Sequence, residues 1–521
     1  MAIPQTPPLQ RVLADLGARR RPLSAEARTL ATGAGLWVTS VGILALIQFG
    51  TSALVGIDGY YHLRMAQLIR TAGWLPGFRW LPLTILSPSG YYDHHFLYHV
   101  LLAPFAWGDP STPSGAAALA LGGKLASILF TSLAFTAIWF GLRRHVRWAA
   151  FWTLGLFALS EAFLYRMSMP RAQSASLMVL VIGFFLLVER RDGWLLPLGF
   201  AYVWLYDAFP LLLLLAACRV SADLLLERRV DARPILFALL GIGLGLLFNP
   251  YFPRDLIFVL QHLLPKLGAP GIPVGNEWYP YDAWTLATNS GLAFAALAVG
   301  LFFLGKRKGR LDRATVMALL LAFAFGLLFL KSRRFAEYFP PYSLLALAFC
   351  ASPWLDHLGS ERPSLQRQLP VLMAAALALP LASTVWQARQ TVASSEPLDR
   401  YAAAATWLAR HSQPGDMVFQ TDWDDFPRLF FYNTTNVYTL GLDPTYLQLT
   451  DSALYDDWLA ITRGLIEAPS ALIRSRFGAR FVFSDLQHEA FLDQALADPG
   501  LDEIYRDRTA IIYRVLPSGE R

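Results

Sequence analysis

Ala53-Leu54-Val55-Gly56-Ile57-Asp58-Gly59-Tyr60-Tyr61-His62-Leu63-Arg64 is the point at which an apolar run of membrane-spanning length, residues 33–55, gives way to an acid. A bilayer core takes about 20 apolar residues per helix. After Asp58 the pattern changes to helical periodicity, with Tyr61, Met65 and Leu68 on one face. An aspartate here has two uses. It caps the helix that starts at Gly59, or it binds a metal ion or takes a proton from an incoming acceptor at the membrane boundary.

Working outward, apolar runs of similar length recur. Spans are expected near 33–55, 117–141, 148–165, 172–188, 194–206, 208–222, 234–249, 284–304, 314–331, 335–351 and 370–387. That makes about eleven. The composition agrees, since 55% of the 521 residues are hydrophobic and 16% charged, against about 25% charged in soluble domains. The first run comes late and is long enough to stay as a signal-anchor, with no cleavable leader apparent. Cys218 and Cys350 both lie inside apolar runs and read as small buried hydrophobes. The net charge of +6 is placed in short arginine runs between apolar segments, without aromatic interleaving, which argues against nucleic acid as a partner.

The arginines also orient the chain. Arg11, Arg19, Arg20, Arg21 and Arg28 put residues 1–30 in the cytoplasm, and Arg143, Arg190, Arg228, Lys306 and Arg362 mark further inner loops. This requires residues 194–222 to form two short helices that turn near Asp207. The expected architecture is an all-α polytopic membrane domain over 31–390, followed by a small extracytoplasmic α/β domain over 391–521. The membrane domain has a long first outer loop, 58–115. In the tail, strands are expected at Met417–Gln420, Val437–Leu440 and Arg480–Ser484, helices at Asp424–Tyr432 and Leu447–Ile466, and a hairpin around Asp507–Thr509. Multi-pass insertion in the inner (plasma) membrane follows.

The expected outer segments hold the chemistry. Tyr91-Tyr92-Asp93-His94-His95-Phe96-Leu97-Tyr98-His99 sets an acid before a histidine cluster, with His95 and His99 on one helical face at a metal-ligand spacing. It reads equally as an interfacial aromatic belt. Arg166 and Arg171, in Tyr165–Gln173, suit a lipid phosphate or simple snorkelling. Asp207 sits at a turn between apolar helices, where an ionisable group costs about 2.5–3.5 kcal/mol at membrane depth and tends to have a task. Glu277, beside Trp278 and Tyr279, suits a sugar, or an aromatic girdle. Lys331, Arg333 and Arg334 place positive charge outside, against the trend, and suit a lipid-linked phosphate. Glu337 pairs with Arg333 or Arg334 in this scheme. Thr421-Asp422-Trp423-Asp424-Asp425 reads as a strand–helix turn capped by Asp424 or Asp425.

The acid opening a long first outer loop, the amphipathic helix and the second acidic motif together resemble the GT-C superfamily of membrane glycosyltransferases. Asp58-Gly-Tyr-Tyr-His-Leu-Arg is similar to the corresponding stretch of oligosaccharyltransferase catalytic subunits. The paired acids those enzymes carry near the second outer turn are missing here, with Arg166 and Arg171 in their place. Of their Trp-Trp-Asp-Tyr-Gly motif only Trp423-Asp424 remains. The resemblance implies Asp58 as the catalytic acid, with Asp93 a weaker match. It also implies a divalent cation (Mg2+ or Mn2+) on Asp58 and Asp93. It further implies transfer of a sugar or glycan from a polyprenyl-phosphate or diphosphate donor in the membrane to an extracytoplasmic glycan, lipid or protein acceptor. Arg166, Arg171, Lys331, Arg333 and Arg334 are then expected on the lipid phosphate, and His62, His94, His95, Asp207, Glu277 and Trp278 on the substrate. Oligosaccharyltransferase-type protein glycosylation, a lipid-linked glycan transporter and a non-catalytic assembly protein are the alternatives. The absence of an internal repeat weighs against the transporter.

Overall fold

The computed structural model describes residues 24–267, 271–307 and 309–517. Arg11, Arg19, Arg20 and Arg21 lie outside the described residues. The first helix among the described residues, Ala25–Gln48, starts eight residues before the expected span and ends seven before its expected end. Ser24 fixes the start, its Oγ accepting the Ala27 N–H at 3.1 Å. Helices cover the remaining expected spans, with one exception. Residues 148–165 break into Ala149–Leu154, Leu156–Leu159 and Glu161–Met167, the last capped by Ser160 Oγ on Phe163 N–H.

Among the described residues, five helices are long and apolar enough to cross a membrane singly: Glu26–Gln48, Pro113–Leu142, Ala283–Lys306, Arg313–Lys331 and Arg367–Ala393. Of the shorter apolar helices, Gln173–Val188 packs on Pro113–Leu142, and Arg233–Leu247 packs on the helix Leu195–Leu205, so the expected count of eleven complete spans is not what single-helix length supports. Leu240, Phe302, Leu327, Leu379 and Trp386 stand exposed on these helices. Apolar surface of that extent suits contact with lipid. Between Leu195–Leu205 and Leu211–Glu227 the chain turns through Tyr206–Pro210. The two-helix arrangement around Asp207 therefore holds.

The C-terminal segment forms a five-stranded sheet in the order β2-β1-β3-β5-β4. The strands are β1 Met417–Gln420, β2 Val437–Tyr438, β3 Phe481–Asp485, β4 Leu501–Arg506 and β5 Ala510–Val515. β1 runs parallel to β2 and β3, and β5 is antiparallel to β3 and β4. The expected helix Leu447–Ile466 is instead two, Thr445–Thr450 and Ser452–Thr462, because Asp451 turns its carboxylate onto Leu454 N–H and starts the second. Helices Ala402–His411, Ser470–Phe477 and Glu489–Ala497 escaped the sequence reading.

This segment docks on the first long loop. Helix Asp58–Ala72 packs against helix Phe426–Tyr432, with Tyr60 edge-on to Phe431 at 5.3 Å. Arg64 donates to Thr434 Oγ1 at 3.0 Å, and Tyr438 N–H to the Trp80 carbonyl at 2.8 Å. The loop and its helix are thus tied to the C-terminal segment at Tyr60, Arg64 and Trp80.

Candidate functional site

Asp58 is the first residue of its helix, and Ile57 occupies the cap position without a side-chain bond. The aspartate is therefore not spent on capping. Gly59 explains where it points. A Cβ there would sit 2.4 Å from Cγ of Pro170, so only glycine lets the helix start press against the Ser168–Arg171 turn. That turn is anchored in turn by Gln48 Nε2 on the Ser168 carbonyl (2.9 Å) and Thr131 Oγ1 on the Met167 carbonyl (2.9 Å). The approach brings Arg171 Nη1 to 3.0 Å from Asp58 Oδ2.

Glu277 enters from the short helical turn Asn276–Trp278. Its carbonyl accepts from Ser332 Oγ at 2.7 Å, and the Tyr279 carbonyl accepts from Arg333 N–H at 3.0 Å. The loop and residues 332–334 are thereby fastened together. The Glu277 carboxylate accepts from Arg166 (3.0 Å), Arg171 (3.2 Å) and Arg334 (3.5 Å). Burial works against its charge, yet these three guanidinium groups pull its pKa well down. Asp207 accepts from Arg334 at 3.4 Å and pairs with His262 Nε2 at 3.0 Å. It too is held ionised against burial, by Arg334 and His262. Asp58 differs. Burial raises its pKa, Glu277 adds to the rise, and Arg171 only partly offsets it.

One cavity collects Asp58, Tyr61, His62, His94, His95, Arg171, Asp207, His262, Glu277, Arg334, Asp443 and Tyr446. Seven residues singled out from sequence for roles other than metal binding, besides Asp58 itself, meet there: Arg171, Arg334, His62, His94, His95, Asp207 and Glu277. Five others do not line it. Asp93 is buried away from the cavity and bound to His99 Nδ1 at 2.7 Å and His95 N–H at 3.0 Å. Arg166 is doubly engaged, with Glu277 and with the fully buried Glu337, so it braces the site instead of meeting a lipid phosphate. Glu337 pairs with Arg166 and not with Arg333 or Arg334. Arg333 lies over Tyr281 at 4.7 Å and donates to the Pro280 carbonyl. Lys331 ends helix Arg313–Lys331 on an exposed face. Trp278 is stacked by the Arg334 guanidinium at 4.8 Å, which takes a ring face expected for a sugar.

Sequence reading missed His262, Asp443 and Tyr446, which line the cavity, and Tyr206, whose hydroxyl accepts from Arg334 Nη2 at 2.5 Å. His262 rides on helix Arg254–Leu267, between the expected spans 234–249 and 284–304, where apolar residues recur at helical spacing. Tyr446 donates to or accepts from His262 Nδ1 at 3.0 Å and so ties the C-terminal segment to the cavity. The turn at Trp423 is capped by Asp422, whose Oδ1 accepts from Asp424 N–H at 3.0 Å, and not by Asp424 or Asp425. Asp424 lies near enough that burial first, then the charge of Asp58, raises its pKa strongly.

A divalent cation on Asp58 and Asp93 does not fit these residues. Asp93 faces away, and the space between Asp58 and Glu277 is bridged by Arg171 Nη1. Among the described residues no group of three or more His, Cys, Asp or Glu has a metal-holding arrangement.

No protein family matches the sequence, and no curated protein does. Solved structures do match the fold. The archaeal oligosaccharyltransferase AglB from Archaeoglobus fulgidus, in complex with an inhibitory peptide and a dolichol-phosphate, aligns over 94% of this chain and 75% of its own, at TM-score 0.65 and 14% identity. ArnT from Cupriavidus metallidurans bound to undecaprenyl phosphate aligns over 95% and 99%, at TM-score 0.54 and 15% identity. The arabinofuranosyltransferase AftD from Mycobacteria aligns over 94% and 40%, at TM-score 0.56 and 15% identity. An Archaeoglobus enzyme has also been solved with Zn and sulfate. The chain shares the fold of the GT-C membrane glycosyltransferases.

Proposed function

We propose that this protein is an integral membrane glycosyltransferase that moves a sugar or glycan from a polyprenyl-phosphate or diphosphate donor to an extracytoplasmic acceptor. The N-terminus then lies in the cytoplasm, and the C-terminal sheet and the cavity face the other side. The observation that carries the reading is the juxtaposition of Asp58 with two guanidinium groups, Arg171 and Arg334, on one cavity. The GT-C fold supports it, as do relatives of that fold solved with dolichol-phosphate and undecaprenyl phosphate.

The chemistry is an inverting displacement. The acceptor's lone pair attacks the sugar C1, the bond from C1 to the phosphate oxygen breaks, and that oxygen leaves with the electron pair. Arg334 is the better placed phosphate ligand. Tyr206 Oη anchors it at 2.5 Å, while its contacts to the Asp207 and Glu277 carboxylates, at 3.4 and 3.5 Å, are long, and a phosphate oxygen offers it shorter charge-assisted bonds in their place. Arg171 is next to it and shares Glu277, so both cations offset the charge growing on the leaving oxygen. Asp58, released in part as Arg171 turns to phosphate, receives the hydrogen bond of the acceptor O–H or N–H. It is the first base for that proton. No step is routed through a metal.

The test is Asp58→Asn in the purified full chain, with labelled polyprenyl-phosphate and diphosphate sugars and a panel of glycan, lipid and peptide acceptors. Transfer by the wild type with a loss of about 100-fold or more in the variant is expected. Equal transfer by the two proteins removes Asp58 from the chemistry.

A further inference from the structure

His62 stands one helical turn after Asp58, so the two share a face, and both line the cavity. Behind His62 runs a buried chain of hydrogen bonds. His62 Nδ1 is 2.8 Å from His99 Nε2, and His99 Nδ1 is 2.7 Å from Asp93 Oδ2. All three side chains are at most 2% exposed. The other Asp93 oxygen accepts from His95 N–H, which fixes the carboxylate's rotation. The directions of these bonds follow from the acid at the end. A carboxylate accepts only, so a neutral His99 carries its proton on Nδ1 and presents the bare Nε2 lone pair to His62. His62 must then carry its own proton on Nδ1. That leaves the Nε2 lone pair as its unprotonated end.

On the glycosyl-transfer reading above, we infer that His62 is a catalytic base of this cavity, and that His99 and Asp93 are positioning residues that hold it in the Nδ1–H tautomer and draw its proton away. The acceptor's proton, taken first by Asp58, passes to His62 Nε2 as the acceptor's lone pair forms the bond to C1 and the phosphate oxygen leaves with the electrons of the broken bond. The imidazolium so formed strengthens its Nδ1–H bond to His99, which in turn strengthens its bond to Asp93. Release of the proton to the phosphate product restores the starting state. Asp58 then orients the acceptor beside this base and shares the proton load.

The surroundings fit a base that is empty between turnovers. Burial, then the nearby His99, Arg171 and His94, holds the His62 pKa well below the ordinary value. Its ring lies edge-on to His95 at 4.7 Å between centroids and to Tyr98 at 5.6 Å, so rotation out of the chain is blocked. In this scheme Asp93 acts through two imidazoles and without touching substrate.

The experiment combines kinetics with a tautomer measurement on the full chain in detergent. For His62→Ala, kcat is expected to fall about 100-fold with donor KM little changed, and added imidazole to restore at least about 10-fold of it. Rescue also demonstrates that the variant is folded. Asp93→Asn is expected to lower kcat about 10-fold at constant KM. Nitrogen-15 NMR of labelled histidines, assigned by difference against His62→Ala, is expected to show His62 protonated on Nδ1 in the wild type and mixed in Asp93→Asn. If the wild type transfers sugar and His62→Ala keeps its kcat, or imidazole has no effect, the base role of His62 is overturned and the transferase reading stands. If His62 carries its proton on Nε2, the relay is overturned by that measurement alone. If the wild type transfers nothing from any donor, the transferase reading falls, and the base role falls with it.

Discussion

Arg166 and Glu337 form the most deeply buried ion pair of the site, with side chains 7% and 0% exposed. Arg166→Met leaves Glu337 as a buried charge without its cation. Removing one member of such a pair costs about 3–5 kcal/mol. Glu337→Met costs less, about 1–3 kcal/mol, because Arg166 keeps Glu277 at 3.0 Å. The double variant removes both charges, and Glu277 still has Arg171 and Arg334. Apolar replacement of a whole buried pair is often neutral, so the double variant is expected to be about 2 kcal/mol or more better than the sum of the singles. SDS-titrated unfolding in mixed micelles, followed by tryptophan fluorescence, reads these differences. The same proteins also decide whether Arg166 is a brace or a phosphate ligand. As a brace, it can be lost together with Glu337 while donor KM stays within about threefold. A double variant as unstable as Arg166→Met, or a donor KM raised by more than about tenfold, refutes the reasoning.

Gly59→Ala puts a methyl 2.4 Å from the Pro170 ring. It is expected to cost about 1–3 kcal/mol and to lower transfer by moving Asp58 off Arg171, measured by melting and turnover in the same preparation. Lowering the pH separates activity from folding. Asp58, its pKa raised by burial above the usual 3.8, loses its charge at higher pH than an ordinary aspartate. Asp207 and Glu277, with depressed pKa values, stabilise the fold above the unfolded values of 3.8 and 4.5, and this is lost only as pH falls through their lower folded values. A reversible fall in turnover, with the melting midpoint still high, is therefore the expected result of mild acidification. Chelation with EDTA is expected to leave wild-type transfer unchanged, since Arg171 already bridges Asp58 and Glu277. Calorimetry is expected to show Mn2+ binding only after Arg171→Met.

The membrane character was legible because lipid tolerates little else than long apolar helices. The strands β1, β2 and β3 and the β4–β5 hairpin were legible because apolar alternation and Asp-containing turns are local signals. What escaped was decided at a distance. Asp451 cut one helix in two, and Ser160 helped break the third expected span, each through a side-chain cap. His262 and Tyr446 reach the cavity from segments some 180 residues apart, and no local pattern announces that they touch.

The charges teach the sharper lesson. Arg334 stands out in the sequence because positive charge in an expected outer segment breaks the usual bias, and Arg166 and Arg171 because guanidinium groups at an expected outer turn suit a lipid phosphate; together they suggest free cations waiting for phosphate. In the folded chain they face Asp58, Asp207, Glu277 and Glu337, so three cations meet four carboxylates. A bare cluster of guanidinium groups would hold any anion. A cluster already neutralised binds only an anion that outcompetes its carboxylates, and the long Arg334 contacts are the ones a phosphate can displace. Donor binding and the freeing of Asp58 then become one event, because Arg171 cannot turn to the phosphate without loosening its hold on the acid. Arg171→Lys separates the two. Lysine keeps the charge but cannot serve Asp58, Glu277 and phosphate from one planar fork. Donor binding is expected to survive within about tenfold, while kcat falls further than KM rises. A loss confined to KM, with kcat intact, refutes that coupling.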